Sequence, residues 1–123
     1  MGSQQSLMQQ PTSSSMDTNL DETKFILDHV ENNCVLIFSK SYCIYCKNTK
    51  KLFNELEIPY KAIELNQMKS GQKIQDALAQ MTNGTTVTVP RVFVNGECIG
   101  GSSDTKALHQ TGQLLKLIQR CKR

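Results

Sequence analysis

With 123 residues, 38% of them hydrophobic and 20% charged, and a net charge of +3, the chain suits a single domain with one modest core, which excludes wholesale disorder. The charge is too small to imply nucleic-acid binding, and no apolar run approaches the roughly 18 residues of a membrane span. Residues 1–17, MGSQQSLMQQPTSSSMD, are rich in Gln and Ser without apolar periodicity; they read as a disordered tail ahead of one domain over 18–123. Leu20, Phe25, Ile26, His29 and Val30 fall on one helical face, with Thr18 or Asp21 as N-cap. Cys34 to Phe38, CVLIF, is a short apolar run with β-branched members and predicts a buried strand. Leu52, Phe53 and Leu56 predict a helix ending before Pro59, and Tyr60 to Leu65 a second strand. Ile74, Ala77, Leu78 and Met81 are spaced as a third helix, closed by Asn83-Gly84. Arg91 to Val94 and Glu97 to Ile99 flank Asn95-Gly96, a strong hairpin signal, and Leu108, Leu114, Leu115 and Ile118 supply one last helical segment. The order implies an α/β class: a four-stranded mixed sheet flanked by helices.

The chemistry centres on Cys43-Ile44-Tyr45-Cys46, between a buried strand and a helix start. Unpaired N–H groups and the helix dipole put partial positive charge there, which stabilises a thiolate. Cys43 is therefore predicted to ionise more readily than a free thiol, helped by Lys40 and Lys47, and Cys46, one turn on, can resolve a mixed disulfide. Half of a zinc site is the bland reading, but zinc usually takes four ligands, and here the other cysteines and both histidines, His29 and His109, stand alone. An odd cysteine count, five, argues against a secreted disulfide scaffold and for a reducing compartment. The first twenty residues have neither an apolar core nor any Lys or Arg, so they resemble neither a signal peptide nor a mitochondrial presequence, and the expected address is the cytoplasm, with the nucleus as the alternative.

FSKSYCIYC (Phe38 to Cys46), IQDAL (Ile74 to Leu78), TVPRVFVNG (Thr88 to Gly96) and IGGSSD (Ile99 to Asp104) together resemble the glutaredoxin family, in its order and near its spacing, over about Thr18 to Cys121. The likeness is strongest to the vertebrate glutaredoxin-2 branch. It implies a thioredoxin-like fold and an enzyme that uses glutathione to reduce glutathione–protein mixed disulfides through Cys43 alone and protein disulfides through Cys43 with Cys46. It implies a cis peptide before Pro90, exposing the Val89 backbone to pair with glutathione as an added strand. Gly100-Gly101 would allow close approach, Ser103 and Asp104, preceding the last helix, would hold the γ-glutamyl end, Lys40 and Gln75 the glycine carboxylate, and Tyr45 would wall the sulfur. The expected partners are glutathione and glutathionylated proteins.

Residue 44 is Ile where the family has Pro or, in the glutaredoxin-2 branch, Ser, which implies an altered redox poise. Members lacking the proline can bridge a 2Fe–2S cluster between two protomers, with Cys43 of each and two glutathione thiols as ligands. The alternative expectation is thus a cluster-binding redox sensor or carrier, monomeric when apo and a cluster-bridged homodimer when loaded. A thioredoxin-like reductant served by a reductase is a third reading, against which the GG-x-x-D element and the lack of a WC before the motif argue. The stretch from Asn83 to Val87 is about two residues longer than the family's. In the glutaredoxin-2 branch the pair matching Cys34 and Cys121 can form a disulfide, worth about 4 kcal/mol in the entropy model; a reducing cytosol favours free thiols instead. Cys98 reads as structural. Met1-Gly2-Ser3-Gln4-Gln5-Ser6 fits an N-myristoylation pattern, which by itself gives marginal membrane binding.

Overall fold

A computed structural model describes residues 20–82 and 87–121. The tail over 1–17, the myristoylation pattern at Gly2 and the lengthened stretch over 83–86 lie outside the described residues.

Four strands, β1 (Val35–Ser39), β2 (Lys61–Glu64), β3 (Arg91–Val94) and β4 (Glu97–Gly100), form one sheet in the order β2-β1-β3-β4. β1 pairs parallel with β2 and antiparallel with β3, and β3 pairs antiparallel with β4 across the Asn95-Gly96 turn. Among the described residues five α-helices accompany it: α1 over 20–32, α2 (Ile44–Glu55), α3 (Gly71–Thr82), α4 (Ser102–Gln110) and α5 (Gln113–Gln119). Every residue of β1 is buried, the signature of a central strand covered on both faces. Alternation along it splits the core in two. Leu36 and Phe38 pack with Ile63, Phe93, Ile26 of α1 and Ile74 and Leu78 of α3. Val35 and Ile37 pack on the other face with Val92, Val94, Phe53 of α2 and Leu114 of α5. Each such side chain contributes about 1.5–3 kcal/mol by leaving water. Among the described residues no helix is long and apolar enough to cross a membrane.

Three expectations need correction. Leu20, placed on the core-facing stripe of α1, is 55% exposed; the stripe begins at Phe25 and Ile26. The single last helix is two, α4 and α5, because the chain turns at Thr111-Gly112, with Gly112 at φ 84°, where a side chain would be strained. Cys34 and Cys121, expected as free thiols, are joined in a disulfide across 87 residues. Packing Leu114 and Ile118 against the β1 face brings the end of α5 to the residue preceding β1, with the Cα atoms 5.7 Å apart.

Candidate active site

β1 ends at Ser39, and the chain turns over Lys40–Tyr42 before entering α2. Asn66, in the 3-10 turn Leu65–Gln67 after β2, braces that turn: its Oδ1 accepts from Ser41 N–H at 2.9 Å and its Nδ2 donates to Ser41 Oγ at 2.8 Å. Cys43 is the N-cap of α2, extended at φ −83°, ψ 122°, and its Sγ accepts the Cys46 N–H at 3.3 Å. The sulfur therefore takes the place of the oxygen that Ser or Asp normally supplies at a helix start. Partial burial pushes the Cys43 thiol up, but hydrogen bonds from the Cys46 thiol and from the backbone N–H groups of Cys46 and Tyr45, together with the Lys50 charge, outweigh it and leave Cys43 below the ordinary thiol range. Cys46 lies fully buried beneath it and is pushed up to about 11 by burial and by sharing a proton with Cys43. One sulfur is thus set to be an anion and its partner a thiol.

The cation acting on Cys43 is Lys50, rather than Lys40 or Lys47. Lys47 is exposed, and Lys40 contributes its carbonyl, which accepts the Cys43 N–H at 3.0 Å. Lys50 is one further helical turn along and is held by an ion pair with Glu64, whose other oxygen accepts from Ser39 Oγ at 2.8 Å. Sequence reasoning passed over Lys50, Glu64, Ser39 and Asn66. The available signal was a serine ending an otherwise apolar buried strand, since a buried polar residue needs a partner.

The Val89–Pro90 peptide is cis, as the family resemblance implied. Val89 lies just outside the β-ladder, with its carbonyl 3.8 Å from Cys43 Sγ. Beside it a cleft of about 880 Å³ runs between α2 and α4, and Tyr45, Val89, Pro90, Gly101, Ser103 and Asp104 all line it. Gly100, at φ 109°, has room for a hydrogen alone on the side facing Asp104, since a Cβ there would lie 2.2 Å from Asp104 Oδ2. That close approach lets Asp104 Oδ2 accept the Gly101 N–H at 3.0 Å. Ser103 and Asp104, expected to precede the last helix, are in the first turn of α4, whose N-cap is Gly101. Lys40 and Gln75 do not line this cleft; Gln75 Nε2 donates to Val87 O at 2.8 Å, and its Oε1 is buried without a partner. Arg91, unforeseen from sequence, joins the wall with Lys51, Lys106 and His109, and its Nε is buried and unpaired. Gly100→Ala is expected to strain the backbone by about 1–3 kcal/mol and to displace Asp104. A lowered melting temperature, together with weaker glutathione binding by calorimetry, checks this; an unchanged melting curve contradicts it.

A 2Fe–2S cluster takes four thiolates. Among the described residues no three His, Cys, Asp or Glu side chains gather, Cys46 is buried, and Cys98 is out on β4. The bridged cluster that the family resemblance implies would take only Cys43 from each chain, with two glutathione thiols completing the set, so it does not call for a complete ligand set within one chain.

An acidic thiol at a helix start, a buried thiol beneath it and a cis-proline loop alongside define a thiol–disulfide oxidoreductase. The glutaredoxin family model matches residues 35–99. Glutaredoxin-2, mitochondrial, of Pongo abelii is 47% identical over 116 residues, covering 93% of this chain and 70% of the relative; its counterpart in Mus musculus is 49% identical over 96 residues, covering 78% and 60%. The crystal structure of a buckwheat glutaredoxin–glutathione complex superposes with a TM-score of 0.81 at 38% identity, covering 85% of this chain and 94% of that one. The chain belongs to the glutaredoxin family, and its fold is thioredoxin-like. It spans 70% and 60% of the lengths of those two vertebrate relatives. Those relatives are mitochondrial proteins, which overturns the expectation of a cytoplasmic or nuclear address.

Proposed function

We propose that this chain is a glutathione-dependent oxidoreductase that removes glutathione from glutathione–protein mixed disulfides, with Cys43 as nucleophile, and that it acts in the mitochondrion. The observation that carries the reading is Cys43 Sγ at the α2 N-cap, accepting the Cys46 N–H and lying 3.8 Å from the carbonyl of Val89, which lines the α2–α4 cleft. Glutathione is an extended, anionic tripeptide. The Val89 backbone, outside the β-ladder and with its carbonyl 3.8 Å from Cys43 Sγ, suits its peptide groups, and the first turn of α4 at Ser103 and Asp104 suits its γ-glutamyl end. Arg91, Lys51 and Lys106 add positive charge to the wall. The buckwheat relative was crystallised with glutathione. Lys40 and Gln75, which lie outside the cleft lining, are proposed for the glycine carboxylate, and Tyr45 as the wall near the sulfur.

In the monothiol route Cys43 thiolate attacks the glutathione sulfur, releasing the protein thiol; a second glutathione then attacks Cys43 and leaves as glutathione disulfide. In the dithiol route Cys46 attacks Cys43 instead and completes the reduction of a protein disulfide. Mixing the reduced protein with a glutathionylated peptide is expected to release peptide thiol and leave glutathione on Cys43, seen by intact mass after acid quench. No adduct on Cys43, together with no calorimetric signal for glutathione, would refute the reading. Cell fractionation should recover the protein with mitochondria.

A further inference from the structure

The parallel pairing of β1 with β2 sets Ser39 directly opposite Glu64 at the strand ends that face the cysteines. Ser39 is fully buried, an odd place for a hydroxyl in a strand whose other four residues are apolar. Its Oγ donates to Glu64 Oε1 at 2.8 Å, and its hydroxyl lies near enough to the Cys46 sulfur to favour that thiol's ionisation, against the effect of burial. Glu64 in turn pairs through Oε2 with Lys50, and its side chain keeps 22% of its surface in water. From the buried sulfur, Ser39 and then Glu64 therefore lead in order toward solvent. The titratable or charged side chains along it are Cys43 and Lys50 from α2 and Glu64 from β2; the Lys40 backbone also contacts Cys46.

We infer that Ser39 and Glu64 form the path by which Cys46 loses its proton as it attacks the Cys43 mixed disulfide, with Lys50 holding Glu64 in position. The inference rests on the thiol–disulfide chemistry proposed above and concerns its second step. While Cys43 is a thiolate, it is the natural acceptor for the Cys46 S–H. Once Cys43 is bonded to a substrate sulfur that acceptor is gone, and Ser39 Oγ is the neighbouring one. In the step, the Cys46–Cys43 bond forms and the bond from Cys43 to the substrate sulfur breaks. The cysteine pair is oxidised, and the disulfide that entered has been reduced to two thiols. The Cys46 proton moves to Ser39 Oγ as the Ser39 proton moves to Glu64; Glu64 yields it to water, and the leaving thiolate takes one from water. A buried thiol pushed up to about 11 would otherwise wait for hydroxide.

Stopped-flow mixing of the reduced protein with a glutathionylated peptide separates the steps: peptide thiol appears first, glutathione second. In Glu64→Gln and Ser39→Ala the second phase is expected to slow at least roughly tenfold at neutral pH and to climb about tenfold per pH unit, with Ser39→Thr restoring the wild-type profile. Wild-type protein in D2O should show a second phase at least about twofold slower. Wild-type second-phase rates and pH profiles in both variants, or a slowed phase with an unaltered pH profile, would overturn the relay. So would equal rates in H2O and D2O, a measurement that needs no variant to fold. A wild-type protein with no first phase would instead defeat the reading of Cys43 as nucleophile.

Discussion

Cys43→Ser is expected to lower both deglutathionylation and protein-disulfide reduction by at least about three orders of magnitude, because a serine hydroxyl is not ionised near neutral pH and, among the described residues, no cysteine lines the cleft to stand in for it. Cys46→Ser is expected to abolish disulfide reduction while keeping deglutathionylation within a few-fold of wild type. The serine hydroxyl can still donate to Cys43, and the backbone N–H at position 46 remains in place. The pH dependence has a definite sign. Cys43 lies below the ordinary thiol range, so its thiolate persists as pH falls past about 8.5, where a free cysteine is half-protonated, and the rate declines only as pH falls through the lowered value. Lys50→Met removes a cation that lowers Cys43 and should move that decline to higher pH, leaving the rate well above neutrality unchanged. Steady-state assays of the three variants with a glutathionylated peptide and with a peptide disulfide, across pH 5 to 9, check all of this. Retained activity in Cys43→Ser would remove the nucleophile from the assignment.

The parts of the fold that were legible from sequence are those decided by near neighbours. CVLIF announces a strand because its apolar run is short and β-branched, and β1 occupies Val35–Ser39. Asn95-Gly96 announces a hairpin because that pair accepts the positive φ a tight turn demands, and the structure has φ 51° and 85° there. The helix start at Cys43 follows from where a strand must stop and a helix begin. What was not legible depends on contacts distant in sequence. Ser39 and Glu64 are 25 residues apart and meet only because β1 and β2 run parallel in one register; in the linear chain Lys40 and Lys47 look nearer to Cys43 than Lys50 does. The split between α4 and α5 turned on one glycine inside an apolar spacing that continues smoothly past it. Leu20 has the right period for the core, but Ile26 marks where α1 meets it.

Opening the Cys34–Cys121 bridge is expected to cause the largest loss of stability of any single chemical change to the described fold. The bridge ties the residue before the central strand to the end of the last helix, so that nearly the whole domain lies inside the loop it closes. Closing 87 residues removes chain entropy from the unfolded state worth about 4.6 kcal/mol in the loop-closure model. For a domain of this size that corresponds to a melting shift of about 20 °C. The native state itself has little reason to change when the bond is absent, because Leu114 and Ile118 still pack on Val35 and Ile37. Cys34→Ser/Cys121→Ser should therefore melt about 20 °C lower while keeping the Cys43 pH profile and the deglutathionylation rate at 25 °C. The wild-type protein in excess dithiothreitol should approach the same melting point, since the other free thiols, Cys43, Cys46 and Cys98, close no loop. Scanning calorimetry of the three samples decides it. A shift below about 5 °C would mean that the end of α5 is held near β1 in the unfolded chain as well, and that the bridge constrains almost nothing.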